Sequence, residues 1–162
     1  MTSLVLIDTF VWIDFFRGKR SVATDAVQQA LQLGVARLCG PAKAELLRGV
    51  KTKKEKQQLG TMFEAVENLT TLELDWEIAG NSLQTLREGG LTLPLTDALI
   101  AAIAIRHKVP VLTLDKHFLH LKVRLARFTH RNYLPGRWPG DGTFQTCVNH
   151  RAGLGHAPEK PF

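Results

Sequence analysis

Four acidic side chains occupy positions from which they could share one metal ion. Asp8 and Asp115 each follow a short apolar run, SLVLI and VPVLTL. Asp97 lies in the first turn of a predicted apolar helix, and Glu45 lies one turn into a helix that Pro41 opens. Carboxylate oxygens are the ligands that Mg²⁺ and Mn²⁺ prefer, and such ions assist phosphodiester hydrolysis. The four acids therefore predict a divalent-metal site with hydrolytic chemistry.

Each acid also has a purely structural interpretation. Asp8 and Asp115 could be turn residues or caps of the helices that follow them. Asp97 could interact with the dipole of its helix, and Glu45 could form a salt bridge with a basic residue nearby in sequence. These interpretations suffice for any one acid taken alone. Four carboxylates gathered at one place would repel each other strongly without a cation, so the metal site explains them together.

Short apolar runs alternate with helix-like segments along the chain. The predicted strands cover residues 3–7, 35–40, 72–74, 109–114 and about 123–128. Because strands alternate with helices, we expect a three-layer α/β/α sandwich around a mostly parallel sheet. The carboxyl ends of parallel strands share one edge, which would bring Asp8 and Asp115 to the same side of the sheet.

The predicted helices carry recognisable ends and faces. Ser21 is placed to cap the second helix, and Thr96 is placed to cap the segment DALIAAIAIRH. This segment is apolar almost all round, which predicts burial on several sides. Trp12, Phe15 and Phe16 recur at helical spacing in the first helix and fit either the core or a dimer surface.

Length and composition restrict the class of protein. A chain of 162 residues with 44% apolar residues supports a folded domain. No apolar run approaches the roughly 18 residues that a membrane span needs, and the first residues lack the basic start of a secretory signal. Cys39 and Cys147 are isolated from each other and from any metal-binding pattern, which favours a reducing cytoplasm.

The composition changes near residue 135. The last 28 residues contain five of the 13 glycines and four of the seven prolines, without a periodic apolar pattern. We therefore predict a folded domain over 1–134 and a loosely ordered extension over 135–162. The domain carries +5 of the formal charge of +6, so the basic character belongs to the folded part.

A basic balance is compatible with a polyanionic partner. Residues 48–56 (RGVKTKKEK) could be a solvated helix face or could contact an RNA backbone. A second basic group comprises Lys116, Lys122, Arg124, Arg127 and Arg131. His117 and His120 in the same region are interpreted as surface histidines, because no third close ligand for zinc is evident.

The segments around the acids resemble the PIN-domain ribonucleases of the VapC toxin type. They are IDTFVWIDFF around Asp8, PAKAELLRG around Glu45, and TDALIAAIAIRHKVPVLTLDKHF around Asp97 and Asp115. The third segment is the most specific, since it joins D-x-x-I-A-A-x-A to T-x-D across a short connection. The resemblance covers about residues 3–130 and leaves the extension unexplained.

This resemblance implies a metal-dependent endoribonuclease that acts as the toxin of a type II toxin–antitoxin system. It implies Mg²⁺ or Mn²⁺ as cofactor, an RNA substrate with tRNA among the candidates, a cognate antitoxin, a homodimer and no membrane association. It also implies attack by water, which leaves 5′-phosphate and 3′-hydroxyl ends. The matching positions for the family's metal-binding acids and its supporting hydroxyl are Asp8, Asp97, Glu45, Asp115 and Thr113. His117 departs from the pattern, because many relatives have an acid there, and a second metal ion would lack that carboxylate.

Two other functions were weighed against this one. A phosphatase with an aspartate nucleophile would have a second acid two residues after Asp8, where this chain has Phe10. A catalytically silent module that binds RNA or an antitoxin stays open, although it has no need of four clustered acids. If the acids do cluster, we expect raised carboxylate pKa values in the metal-free site and proton release when a metal binds.

Overall fold

The structure is a computed structural model, and it describes residues 4–123. Within this range the strands are β1 (Val5–Ile7), β2 (Ala36–Cys39), β3 (Asn68–Leu69) and β4 (Val111–Leu112). The α-helices are α1 (Thr9–Phe16), α2 (Val22–Gln32), α3 (Gly40–Gly49), α4 (Lys53–Ala65), α5 (Glu73–Glu88) and α6 (Leu95–His107). A short 3₁₀ helix covers Lys116–Leu119.

The four strands form one parallel sheet in the order β3-β2-β1-β4. The chain runs outward from β1 through β2 to β3 and then returns to place β4 on the other side of β1. In open parallel sheets, a crevice forms at the carboxyl ends of the strands where the order reverses. Here that place lies between β1 and β4. The fold confirms the predicted α/β class with a parallel sheet, and its geometry brings together the strands that precede Asp8 and Asp115.

The core surrounds β1 and α6. All three residues of β1 are fully buried, as expected of a central strand covered on both faces. Every residue from Ala98 to Ala104 in α6 is buried as well, which confirms the burial predicted from its apolar surface. Trp12 is fully buried in α1 and stacks on Phe16, whose side chain is partly exposed. Cys39 is buried and its thiol is free.

Two of the predicted element boundaries are wrong. Residues 72–74 do not form a strand, because the backbone N–H of Leu72 donates to the Asp75 carboxylate at 2.8 Å and residue 72 becomes the cap of α5. Thr96 is not the cap of α6, since that helix begins at Leu95 with Pro94 as its cap, two residues earlier than predicted. The Ser21 cap of α2 is confirmed by its hydrogen bond from the Thr24 N–H.

A buried ion pair that the sequence does not reveal joins α5 to α6. The Arg106 guanidinium donates two hydrogen bonds to Asp75, from Nε to Oδ1 at 2.8 Å and from Nη2 to Oδ2 at 2.9 Å. The Asp75 side chain is fully buried, and Arg106 also donates to the carbonyl of Thr70. This pair fixes the helix that carries Asp97 against its neighbour.

Replacing Arg106 with glutamine is expected to destabilise the fold. The change leaves the Asp75 carboxylate buried without its cation, which costs about 3 kcal/mol of unfolding free energy. Urea denaturation measures the loss, and Arg87→Gln on the exposed surface of α5 is the matched control. Equal stability of the two variants would contradict the importance of this pair.

Some predictions concern residues outside the described range. These are the extension at 135–162, most of the last strand at about 123–128, Cys147, and three arginines of the second basic group. Among residues 4–123, no helix has the length and apolar character required to cross a membrane.

Candidate metal centre

Asp8 follows the carboxyl end of β1. Its side chain is buried and accepts hydrogen bonds from two neutral donors. Its Oδ1 accepts the backbone N–H of Thr9 at 2.8 Å, and its Oδ2 accepts the hydroxyl of Thr113 at 3.0 Å. Only 1% of Asp8 is exposed. Asp8 is therefore the cap of α1, and the cap places its carboxylate in the crevice between β1 and β4.

Thr113 connects the ends of the two neighbouring strands. Its hydroxyl donates to Asp8 and accepts the backbone N–H of Asp115 at 2.9 Å. The predicted supporting role of this hydroxyl thus has a physical basis, because it fixes two acids that are 107 positions apart in the chain.

Asp97, Asp115 and His117 form a compact group of donor atoms. Each offers one atom, and these atoms all lie within 4.8 Å of one another. The His117 Nδ1 is 2.8 Å from Asp97 Oδ2 and 3.3 Å from Asp115 Oδ1. Asp97 is buried in the first turn of α6, whereas Asp115 and His117 are half-buried. The group therefore opens toward solvent on the side of the 3₁₀ helix.

Asp115 also has the structural role that was weighed for it. Its Oδ1 accepts the backbone N–H of His117 at 2.9 Å and so caps the 3₁₀ helix. This cap turns the chain so that the His117 ring meets the two carboxylates. His117 was expected at the surface and at a position where many relatives have an acid, but it was not expected to contact Asp97 and Asp115; its position two residues after a capping aspartate was an available signal.

Glu45 approaches the group through Thr96. The Thr96 hydroxyl donates to Glu45 Oε1 at 2.9 Å, which links α3 to the first turn of α6 directly beside Asp97. The compact donor group contains neither Glu45 nor Asp8. The structure thus places Glu45 and Asp8 next to three closely spaced donors, instead of four equivalent acids around one point. Lys43, a basic residue two positions before Glu45, has its ammonium over the ring of Phe63.

Burial and the neighbouring carboxylates raise the pKa of Asp8. The pKa of Asp8 is raised from 3.8 to about 8, first by burial and then by the charge of Asp97. Asp115 contributes in the same direction, while the hydrogen bonds from Thr113 and Thr9 oppose the rise. This confirms the expected raised carboxylate pKa. A cation among these side chains would remove the repulsion that causes part of it.

The donor set fits a divalent cation. Carboxylate oxygens suit Mg²⁺ and Mn²⁺, and imidazole nitrogen suits Mn²⁺ and the later transition metals. Asp8, Asp115 and Glu45 each accept hydrogen bonds from neighbouring protein groups, and hydrogen bonds of this kind orient the side chains that bind a metal ion. Asp97, Asp115 and His117 would hold the ion, with Asp8 beside them.

Comparison with known proteins agrees with this fold. Residues 5–123 match the PIN domain family. The chain is 30% identical over 119 residues to Ribonuclease VapC11 of Mycobacterium tuberculosis and to a VapC ribonuclease of Mycobacterium bovis, and the match covers 71% of this chain and 89% of each relative.

Solved structures share the fold. FitAcB from Neisseria gonorrhoeae superposes with a TM-score of 0.62 at 23% identity, over 75% of this chain and 96% of that one. VapBC-1 from nontypeable Haemophilus influenzae gives 0.63 at 20% identity with the same coverage of both chains. With the family match over residues 5–123 and the 30% identity to curated ribonucleases, the chain belongs to the PIN-domain family, within its VapC group.

Proposed function

We propose that this protein is a metal-dependent endoribonuclease and the toxin of a type II toxin–antitoxin system. The observation that carries the proposal is the group of Asp97, Asp115 and His117 donors beside the buried Asp8. The ribonuclease names of its 30% identical relatives support the substrate class. Mg²⁺ or Mn²⁺ is the proposed cofactor, because the donors are mainly carboxylate oxygens.

The residues of the site would have different roles in hydrolysis. A divalent cation, when bound, supplies acidification of water and neutralisation of charge on a phosphodiester. Asp97 and Asp115 would hold the cation, Asp8 would give up a proton when the cation binds, and Thr113 connects Asp8 and Asp115 through its hydroxyl. Glu45, which accepts a hydrogen bond from the Thr96 hydroxyl, would accept a proton from an attacking water. Hydrolysis of this kind leaves 5′-phosphate and 3′-hydroxyl ends.

The RNA backbone would be attracted by the basic residues near this acidic group. Arg48 lies one turn after Glu45 on α3, and the lysines at 51, 53, 54 and 56 are all exposed. Lys116 and Lys122 are exposed on the other side of Asp115 in sequence. Phosphate neutralisation by such residues dominates affinity for nucleic acids. We propose cellular RNA as the substrate, with tRNA among the candidates, and therefore a cytoplasmic site of action.

An antitoxin partner and a homodimer complete the proposal. A toxin–antitoxin complex from Klebsiella pneumoniae has the same fold, with a TM-score of 0.54 at 21% identity. The partly exposed Phe16, next to the buried Trp12, lies on a helix that a second copy could cover. Toxicity on expression, relieved by co-expression of a neighbouring gene, tests the antitoxin part of the proposal.

Cleavage of total RNA by the purified protein tests the enzymatic part. Cleavage is expected with Mg²⁺ or Mn²⁺ and is expected to stop when EDTA is added. Cleavage that persists in EDTA would refute metal dependence. RNA binding without cleavage under either metal would favour the catalytically silent module.

Thr96 is expected to position Glu45 for the reaction. Replacing Thr96 with valine removes the hydroxyl at 2.9 Å from Glu45, and a lost hydrogen bond to a charged group should lower the cleavage rate about tenfold. Thr96→Ser should restore the rate, because serine keeps the donor. The control is Thr85→Val, an exposed threonine that bonds only within α5. A rate for Thr96→Val equal to that of the control would contradict the role.

A further inference from the structure

His117 is the member of the donor group that distinguishes this site from an all-carboxylate one. We propose that His117 binds the cation directly and makes this site prefer Mn²⁺ or another first-row transition-metal ion to Mg²⁺. The inference rests on the proposed function, since it concerns the cation of the same site.

The spacing of the donor atoms matches neighbouring ligands on one ion. An octahedral cation with metal–ligand bonds of roughly 2.1 Å separates adjacent ligand atoms by about 3.0 Å. His117 Nδ1 is 2.8 Å from Asp97 Oδ2 and 3.3 Å from Asp115 Oδ1. Both distances lie close to that edge length, and all three donors fall within 4.8 Å of one another.

The backbone holds the imidazole in this place. Asp115 caps the 3₁₀ helix through the His117 N–H, so the histidine lies in the first turn with Nδ1 directed at the carboxylates. Asp97 belongs to α6 and Asp115 follows β4, so two separate segments converge on one ring nitrogen. A single proton on His117 Nδ1 can form a well-aligned hydrogen bond to only one of these carboxylate oxygens. A cation can bind all three atoms at once.

Imidazole changes which ion the site accepts best. Mg²⁺ binds oxygen ligands and retains several waters, and it gains little from a nitrogen donor. Mn²⁺, Co²⁺ and Zn²⁺ accept nitrogen and oxygen together. Replacing a carboxylate by a neutral imidazole also removes one negative charge, which weakens the electrostatic attraction for Mg²⁺ most, because charge is the main source of its affinity.

Metal titration of the tag-free, full-length protein by calorimetry tests the preference. The variants are His117→Asp and, as a neutral replacement that adds no repulsion, His117→Gln; the matched control is His120→Gln on an exposed neighbouring histidine. The ratio of Mg²⁺ to Mn²⁺ dissociation constants should fall about tenfold in His117→Asp and should be unchanged in His120→Gln. Thermal unfolding confirms that each variant is folded.

Pulsed electron paramagnetic resonance of the Mn²⁺-loaded protein detects directly whether a nitrogen atom is bound to the ion. The wild type and His120→Gln should show hyperfine coupling of Mn²⁺ to a ¹⁴N nucleus, and both His117 variants should lack it. If the coupling is absent from the wild type, or survives in both His117 variants with an unchanged Mn²⁺ preference, His117 only hydrogen-bonds to Asp97 and the inference is wrong.

The two proposals fail in different ways. Asp97→Asn should abolish Mn²⁺ binding whether or not His117 is a ligand. Loss of binding in Asp97→Asn, with no effect of His117, would overturn the inference alone. Absence of Mn²⁺ binding in the wild type, or binding unaffected by Asp97→Asn, would overturn both.

Discussion

Asp97→Asn is expected to lower the rate of RNA cleavage by about a thousandfold. Asp97 is buried at the start of α6, and its Oδ2 lies 2.8 Å from His117 Nδ1 in the donor group. An amide in its place keeps the shape but removes the negative charge that holds the cation. Loss of one essential ligand of a catalytic ion removes stabilisation that is realised mainly in the transition state, roughly 4 kcal/mol for this factor.

The matched control for this change is Asp25→Asn. Asp25 is exposed in the first turn of α2, so it experiences the same substitution at the same kind of helix position, away from the site. Its cleavage rate should stay within about twofold of the wild type. Cleavage rates are measured on one defined RNA, at a single Mn²⁺ concentration that saturates the wild type. A rate for Asp97→Asn close to that of the control would remove Asp97 from the active site.

Asp8→Asn is expected to abolish activity and yet to stabilise the metal-free protein. The pKa of Asp8 is about 8 in the fold and 3.8 as its ordinary value. Between these values the folded protein holds a proton that the unfolded chain releases, so stability falls as pH rises from about 4 to about 8. Asparagine removes this penalty. The gain should be on the order of 5 kcal/mol at pH 8 and close to zero at pH 4.

Urea denaturation in EDTA at the two pH values measures this effect. The difference should shrink when Mn²⁺ is present, because an ion that binds only the folded wild type stabilises it. Asp25→Asn again serves as control and should show no such pH dependence. If Asp8→Asn is less stable than the wild type at pH 8, the charged Asp8 carboxylate does not destabilise the metal-free fold, and the prediction is wrong.

The sequence predicted the parts of this site that follow from sheet geometry. Parallel strands that end in Asp8 and Asp115 must bring these residues to one edge, and an apolar helix that begins near Asp97 must be buried against that sheet. Glu45 was predicted from its position near the start of a helix, and the family resemblance added Thr113. These features depend on periodicity and residue type, which can be read from the sequence printed above.

The parts that the sequence did not reveal depend on contacts between distant residues. Thr96 was expected to cap its own helix, but α6 starts two residues earlier than predicted and leaves the Thr96 hydroxyl to donate to Glu45, 51 positions away. The Asp75–Arg106 pair joins two helices in the same way. His117 was interpreted as a surface residue, because spacing along the chain does not show that a capped 3₁₀ turn directs its ring at two carboxylates.

The most direct test of the account is a calorimetric Mn²⁺ titration of the purified protein at pH 7 in two buffers with different enthalpies of ionisation. The comparison of the two heats counts the protons released as the ion binds. The account predicts binding with release of about one proton per ion, because Asp8 is mostly protonated at pH 7 in the metal-free site. Binding without proton release, or no binding, would contradict the claim that these acids form a cation site.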